Sequence, residues 1–406
     1  MNRIIIIAIA LLNACMLSGQ SPDQYYLKGM AALQQDHPED AVQVLTDAIE
    51  RNNADERYYL RRADAFYKLG KFDLAGRDYD EANSISPECG DLGLARVFAV
   101  TGEEDKAIDY LKRHLQSDYR LAESVITKDP AFDKIQQKDE WYNLWQQEWY
   151  SDFEKAEAEV GYYLKKKDPE QALEYLNDKL TSFQKEPRYY ALRARVYDLQ
   201  KNHAAAVADY SMALSLDKTD PDFYFNRGIA FLRSARYGNA VEDFTKGLRA
   251  DPARFDFYLE RAKANAGLED FNAAVSDVAL YLQYFSDDRQ ATTLCGEMHF
   301  LNGDYINALK YFNKNLKADP DNPEYYKARG KTYLKTKTYT YAINDLSMSL
   351  DLRPDDGEAW LYLGLAKYET GEKEEACSDL EKAKRYGNNL AVRYSIELCG
   401  GVNSNR

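Results

Sequence analysis

Small residues recur along this chain at a fixed interval. Ala172, Ala206, Ala240, Ala274, Ala308, Ala342 and Ala376 lie 34 residues apart, and twelve residues before them stand Val160, Ala194, Gly228, Ala262, Gly296, Gly330 and Gly364. Each pair predicts two helices in contact, because glycine or alanine facing alanine lets two backbones approach closely. Bulkier residues four places on (Tyr210, Phe244, Val278, Phe312, Leu346 and Leu380) fill the space beside that contact. Asp251-Pro252, Asp319-Pro320 and Arg353-Pro354 close the second helix, since proline cannot continue it. Three earlier intervals repeat the small pair, at Gly29 and Ala41, Ala63 and Ala75, and Ala95 and Ala107.

This period and pattern resemble the tetratricopeptide repeat, a helix-turn-helix unit, over almost all of the chain beyond residue 22. In the family's terms seven units begin at Phe153, Pro187, Pro221, Phe255, Arg289, Pro323 and Gly357, and three precede them at Pro22, Glu56 and about Glu88. The large residue near the start of the first helix falls at Tyr25, Tyr59, Tyr190, Tyr224, Tyr258, Tyr326 and Trp360. Val160 departs from the small-residue rule, and six of the ten units lack the consensus proline. The resemblance implies an all-α fold, a right-handed superhelical solenoid of about ten repeats in two blocks, 22–121 and 153–390, closed by a capping helix and tail over 391–406.

The repeats also permit an internal comparison. Arg62, Arg193, Arg227, Arg261 and Arg329 occupy the seventh position of five units, and sixteen residues after each stands Asp78, Asp209, Asp243, Asp277 or Asp345. The other five carry Lys28, Leu94, Glu159, Cys295 and Leu363 at the seventh position, and only the last has a matching aspartate, Asp379. Co-occurrence predicts an Arg-Asp pair joining the two helices of each such unit, serving register more than stability.

Between Ala107 and Ala172 the interval is 65 residues, so the array is interrupted over 122–152. There Trp141, Trp145 and Trp149 recur at four-residue spacing beside Tyr142 and Tyr150, an aromatic stripe on one helix face. Such a stripe seals a joint between blocks or presents rings to a sugar or peptide, and the first use is the commoner one.

The chain begins differently. Arg3 is followed by an apolar run from Ile4 to Leu12 and then by small and polar residues, the pattern of an export signal over 1–20. Leu12-Asn13-Ala14-Cys15 resembles a bacterial lipobox in which Cys15 would be lipidated; cleavage near Ser18 to Gln20 is the competing reading. No later apolar run approaches the ~20 residues of a membrane-spanning helix. The expectation is an exported protein, periplasmic or tethered by lipid at the outer membrane. With 53 Lys and Arg against 67 Asp and Glu, the formal charge of −14 disfavours nucleic acid as a partner. The chain holds 33 tyrosines, and recurring repeat positions absorb many of them.

Reactive chemistry is sparse. Cys377 opens the second helix of the last unit and Cys399 ends the following helical segment, so antiparallel packing brings them within disulfide reach and suits export. His37, His114, His203 and His299 fall at unrelated positions of four units, with no second histidine at ligand spacing. No phosphate loop or nucleophile elbow is present. Neither cofactor nor metal is expected, and no enzymatic activity.

Recognition is the use such a solenoid suggests. Family geometry places Arg195, Phe225, Arg233, Lys327, Lys331 and Lys335 on the inner face, and the last three form a basic stripe able to receive an acidic peptide or C-terminal carboxylate. The favoured reading is a non-catalytic scaffold of the cell envelope binding protein or peptide partners. A glycan-binding lipoprotein and an accessory subunit of an envelope enzyme or secretion complex are the alternatives.

Overall fold

The computed structural model describes residues 21–400. The export-signal reading over 1–20 with Cys15, and the tail over 401–406, lie outside the described residues. Within them the chain forms twenty-three α-helices, one 3₁₀ turn and no strand. Two compact units divide it, Met1–Lys218 and Thr219–Arg406.

The first unit opens with three hairpins: α1 (Pro22–Gln34) with α2 (Pro38–Arg51), α3 (Glu56–Lys68) with α4 (Phe72–Ile85), and α5 (Asp91–Thr101) with α6 (Glu104–Gln116). Two short helices follow, α7 (Glu123–Ile126) and α8 (Asp139–Trp145), with a 3₁₀ turn at Pro130–Phe132 between them. Two further hairpins complete it: α9 (Asp152–Lys165) with α10 (Pro169–Ser182), and α11 (Pro187–Leu199) with α12 (His203–Leu216). The second unit stacks α13 (Pro221–Arg233) with α14 (Tyr237–Ala250), α15 (Asp256–Gly267) with α16 (Phe271–Tyr284), and α17 (Arg289–Leu301) with α18 (Tyr305–Ala318). It ends on α19 (Pro323–Lys335) with α20 (Tyr339–Leu352), α21 (Gly357–Thr370) with α22 (Lys373–Arg385), and the single helix α23 (Asn389–Cys399).

Local chemistry starts and stops these helices. Asp55, Glu186, Asp220, Asp288, Asn322 and Asp356 cap first helices by accepting backbone N–H bonds, and proline opens α11, α13 and α19 where its missing N–H costs nothing. The turn inside every hairpin passes through one left-handed residue, filled by Gly70, Gly102, Gly303 and Gly371 but elsewhere by Asp36, Lys167, Lys201, Ala235, Glu269 and Lys337. The third unit begins later than its expected start near Glu88. Glu88 itself is left-handed at φ 72°, and Gly90 fits under the Tyr79 carbonyl only because it has no Cβ, so α5 cannot begin before Asp91.

The 34-residue alanines lie where the helices of each hairpin meet. From Ala41 and Ala75 to Ala342 and Ala376 they are fully buried, and a methyl group added at Gly228, Gly296 or Gly330 would sit 2.6, 2.6 or 2.8 Å from Phe244, Phe312 or Leu346.

The interrupted stretch is packed. Ile126, Phe132, Ile135, Trp141 and Leu144 close over Ala95, Ala99 and Leu111 of the α5–α6 hairpin, with Trp145 and Trp149 partly buried against the same cluster. The Trp149 indole N–H donates to the Leu144 carbonyl at 2.7 Å. His114 accepts the Leu121 N–H at 3.1 Å, and burial, assisted by Arg96, pushes its pKa down to about 4. At the other end a disulfide joins Cys377 to Cys399 with their Cα atoms 5.8 Å apart, fastening α23 over Leu361, Leu380 and Ala383.

Candidate interaction surfaces

The scaffold arginines come first, because they fix which surfaces remain for binding. In each of the five units the guanidinium grips its own aspartate with both oxygens engaged: Arg62 on Asp78 at 2.7 and 2.8 Å, Arg193 on Asp209 at 2.7 and 2.8 Å, Arg227 on Asp243 at 2.7 Å twice. Arg261 holds Asp277 at 2.9 and 2.6 Å, and Arg329 holds Asp345 at 2.7 Å twice. A further arm is not evident from the Arg-Asp spacing alone. The remaining nitrogen of Arg62, Arg193, Arg261 and Arg329 donates to Thr46, Asn177, Thr245 and Asn313, each sixteen residues earlier in the preceding unit. The recurrence of Thr and Asn at that offset is the signal that carries it. Burial pushes the Asp243 carboxyl up and Arg227 opposes that rise. In the last unit, where Leu363 replaces arginine, Lys367 and Lys382 take Asp379 at 2.7 and 3.0 Å.

The basic stripe is placed differently from its sequence reading. Lys327 is largely buried and meets Asp356 at 2.8 Å, Glu324 at 2.9 Å and Glu358 at 3.3 Å, while Lys331 meets Glu358 at 2.7 Å. Arg353 joins the cluster by pairing with Asp356 and Glu324. Burial works against the Lys327 charge, the Asp356 and Glu324 carboxylates outweigh it, and its pKa lies above the ordinary lysine value. Three cations thus face three carboxylates, and the stripe offers no open cationic track. Four-residue spacing displays only one helix; Asp356 and Glu358 arrive from the N-cap and first turn of α21 in the next unit. Of that stripe, only Lys335, in the last turn of α19, lies outside the cluster.

The other nominated residues are engaged locally. Arg195 pairs with Glu157 at 3.2 Å on an exposed surface of the first unit. Phe225 packs against Phe257 and Phe244, with ring centroids 4.8 and 6.0 Å apart, and lies under the Arg254 guanidinium. Arg233 stands in the last turn of α13.

Open clefts lie instead between first helices of consecutive units. In the first unit a cleft of about 460 Å³ is bounded by Met30 and Leu33 of α1, Arg61, Asp64, Tyr67 and Lys68 of α3, Arg96 of α5, and Asp129. Arg61 pairs with Asp64 at 2.9 Å, Arg96 with Asp129 at 2.5 Å, and the Tyr79 hydroxyl donates to Asp64 at 2.8 Å. In the second unit a cleft of about 490 Å³ lies among Leu259 and Lys263 of α15, Leu294 and Glu297 of α17, and Glu324 and Tyr325 of α19. Burial pushes the Glu297 carboxyl up against the pull of Lys331. Both combine an apolar wall with charged rims, the mixture that recognises polypeptide.

The histidines do not converge: His203 pairs with Asp198 at 2.7 Å in one unit and His299 with Asp304 at 3.1 Å in the other. Among the described residues no cluster of His, Cys, Asp and Glu could hold a metal ion, and no helix is long and apolar enough to cross a membrane.

Comparison with known proteins follows the same repeat. Human serine/threonine-protein phosphatase 5 is 35% identical over 54 residues, which are 13% of this chain and 11% of the relative. The heat shock protein sti1 homolog of Schizosaccharomyces pombe is 29% identical over 109 residues, 27% of this chain and 18% of the relative. The match therefore spans less than a fifth of either relative's length. A tetratricopeptide repeat protein from Parabacteroides merdae is similar in structure at a TM-score of 0.49 and 20% identity, covering 61% of this chain and 98% of that one. Yeast Tom70 is similar at a TM-score of 0.37 and 14% identity, covering 94% of this chain and 100% of that one. A tetratricopeptide repeat profile matches residues 26–88, 225–283 and 327–389, and a TPR repeat profile matches 194–234, more than half of the chain between them. With its 34-residue hairpins and buried alanine contacts, the chain belongs to the tetratricopeptide repeat family.

Proposed function

We infer that this protein is a non-catalytic scaffold that holds protein or peptide partners in the clefts between its first helices. Tetratricopeptide repeats mediate protein-protein interaction, and the observation that carries the reading here is a mixed apolar and charged cleft among consecutive first helices in each of the two units. Most charged groups of these clefts are paired within the array, Arg61 with Asp64, Arg96 with Asp129 and Lys263 with Glu260, which shapes a binding surface. The leader-like residues 1–20 support a role at the bacterial cell envelope, with Cys15 as the candidate lipid anchor. The glycan-receptor alternative would need an open aromatic platform, and Trp141 is only 6% exposed.

A photoreactive residue placed at Tyr67 or Leu294 should yield covalent polypeptide adducts in cells, whereas the same group at Tyr142, exposed on the connector, should yield none. Adducts at Tyr142 alone would overturn the reading. Palmitate labelling that disappears in Cys15→Ser tests the anchor separately.

A further inference from the structure

Two units of the second half lack the bridging arginine; the last keeps its aspartate on lysines, whereas in the unit that begins at Arg289 every member of the bridge is replaced together. The unit before it uses Thr245, Arg261, Asn265 and Asp277, with Asn265 adding a bond to Asp277 at 3.2 Å. The residues 34 places on are Ala279, Cys295, His299 and Tyr311. Cys295 is fully buried, and His299 stacks on the Tyr311 ring at 5.4 Å. The following unit restores the bridge with Asn313, Arg329 and Asp345.

Removing a guanidinium and its polar partner leaves room. Between the second helices α16 and α18 lies a cleft of about 630 Å³, with Ala279 and Leu282 on one wall and Tyr311 with Lys310, Lys314 and Lys317 on the other. Helix α18 carries no acidic residue, and the one on α16, Asp277, is held by Arg261. Among the described residues none of the three lysines enters an ion pair; Lys314 donates to the Ser286 carbonyl. At the neighbouring turns Asp288 accepts from the Tyr281 hydroxyl, Asp287 from the Ser286 hydroxyl, and Asp319 pairs with Arg289; none of these acids reaches the three lysines. An uncompensated cationic row beside an apolar slot, on a chain of charge −14, contrasts with the neutralised stripe on α19.

We propose that this cleft docks an extended acidic polypeptide segment, with carboxylates over Lys310, Lys314 and Lys317 and an intervening apolar side chain between Leu282 and Tyr311. The lysines span about 10 Å of helix at 1.5 Å per residue. Acidic residues at alternate positions of an extended chain, about 6.6 Å apart, match the one-turn step from Lys310 to Lys314. Electrostatic complementarity sets the orientation, and the slot left by the missing arginine selects for an apolar anchor. The surface is on the second-helix side and is separate from the first-helix clefts.

The test is fluorescence anisotropy with the full chain and a labelled peptide centred on Glu-Phe-Glu-Leu-Glu. Salt-sensitive binding is expected, absent for the Gln-Phe-Gln-Leu-Gln peptide. The triple variant Lys310→Glu, Lys314→Glu, Lys317→Glu, with an unchanged circular dichroism spectrum, should weaken it by about tenfold or more. Ala279→Leu, which fills the slot without altering charge, should weaken it also, and Arg61→Ala in the first-helix cleft should not. Failure of the wild-type chain to bind, or equal binding by the triple variant, overturns the proposal. So does equal binding of an oligonucleotide that ignores Ala279→Leu, which would make the lysines a general anion surface.

Discussion

At the scale of the residue, the guanidinium is the device that turns a stack of hairpins into a register. Arg261 offers two N–H groups to Asp277 within its unit and one to Thr245 in the unit before, so a single side chain fixes both the angle of its own hairpin and the offset of its neighbour. Taking the arginine away strands a carboxylate that is 8% exposed. Arg261→Leu should therefore cost about 3 kcal/mol, and adding Asp277→Leu should return most of it, because a buried ion pair gains little over an apolar replacement of similar volume. Urea unfolding of the two single variants and the double variant measures the coupling; additive losses would show the pair to be independent groups. The Arg-Asp half of this device is legible in the sequence because both partners recur at one spacing. The other half is blurred, since threonine and asparagine alternate at the accepting position and any small polar acceptor will do.

At the scale of the element, the hairpin is decided by what one helix can press against another. The small-residue pairs show where contact occurs, and the structure adds why glycine rather than alanine stands at four of the second unit's five positions: a large ring or leucine lies across the backbone. Gly296 faces Phe312 at a distance where a Cβ would come within 2.6 Å of the ring. Gly296→Ala gains about 1 kcal/mol of helix propensity. The clash should outweigh it, giving a net loss of about 1–2 kcal/mol, since overpacking a filled core costs 1–3 kcal/mol. Gly296→Ala with Phe312→Leu should recover the loss and then show the propensity gain; a Tm that rises for Gly296→Ala alone contradicts this packing account. Surfaces were harder to read than cores for a related reason. Lys327, Lys331 and Lys335 lie on one helix face by spacing, but of the carboxylates that silence the first two only Glu324 shares that helix; Asp356 and Glu358 come from the next element, and no single-helix pattern records them.

At the scale of the whole molecule, repetition has a cost at its ends, because every repeat relies on neighbours and the last has one on only one side. Helix α23 answers that at the C-terminal end, covering Leu361, Leu380 and Ala383, yet it exposes Leu390 and Ile396 on its far face and cannot hold itself by packing alone. The disulfide supplies the remainder. Closing a loop of 22 residues restricts the unfolded chain by about 3 kcal/mol. Cys399→Ser, or reduction of the native chain, should therefore release α23 first and leave the earlier helices folded. Hydrogen exchange would show protection falling across 389–399 and then in α22, and trypsin would cut at Arg393 before any site within α19 or α20. A uniform loss of protection along 219–400 would mean instead that the bridge stabilises the unit as one cooperative block. The bridge would hold in an oxidising compartment, and in a reducing one the same chain would fray from this end.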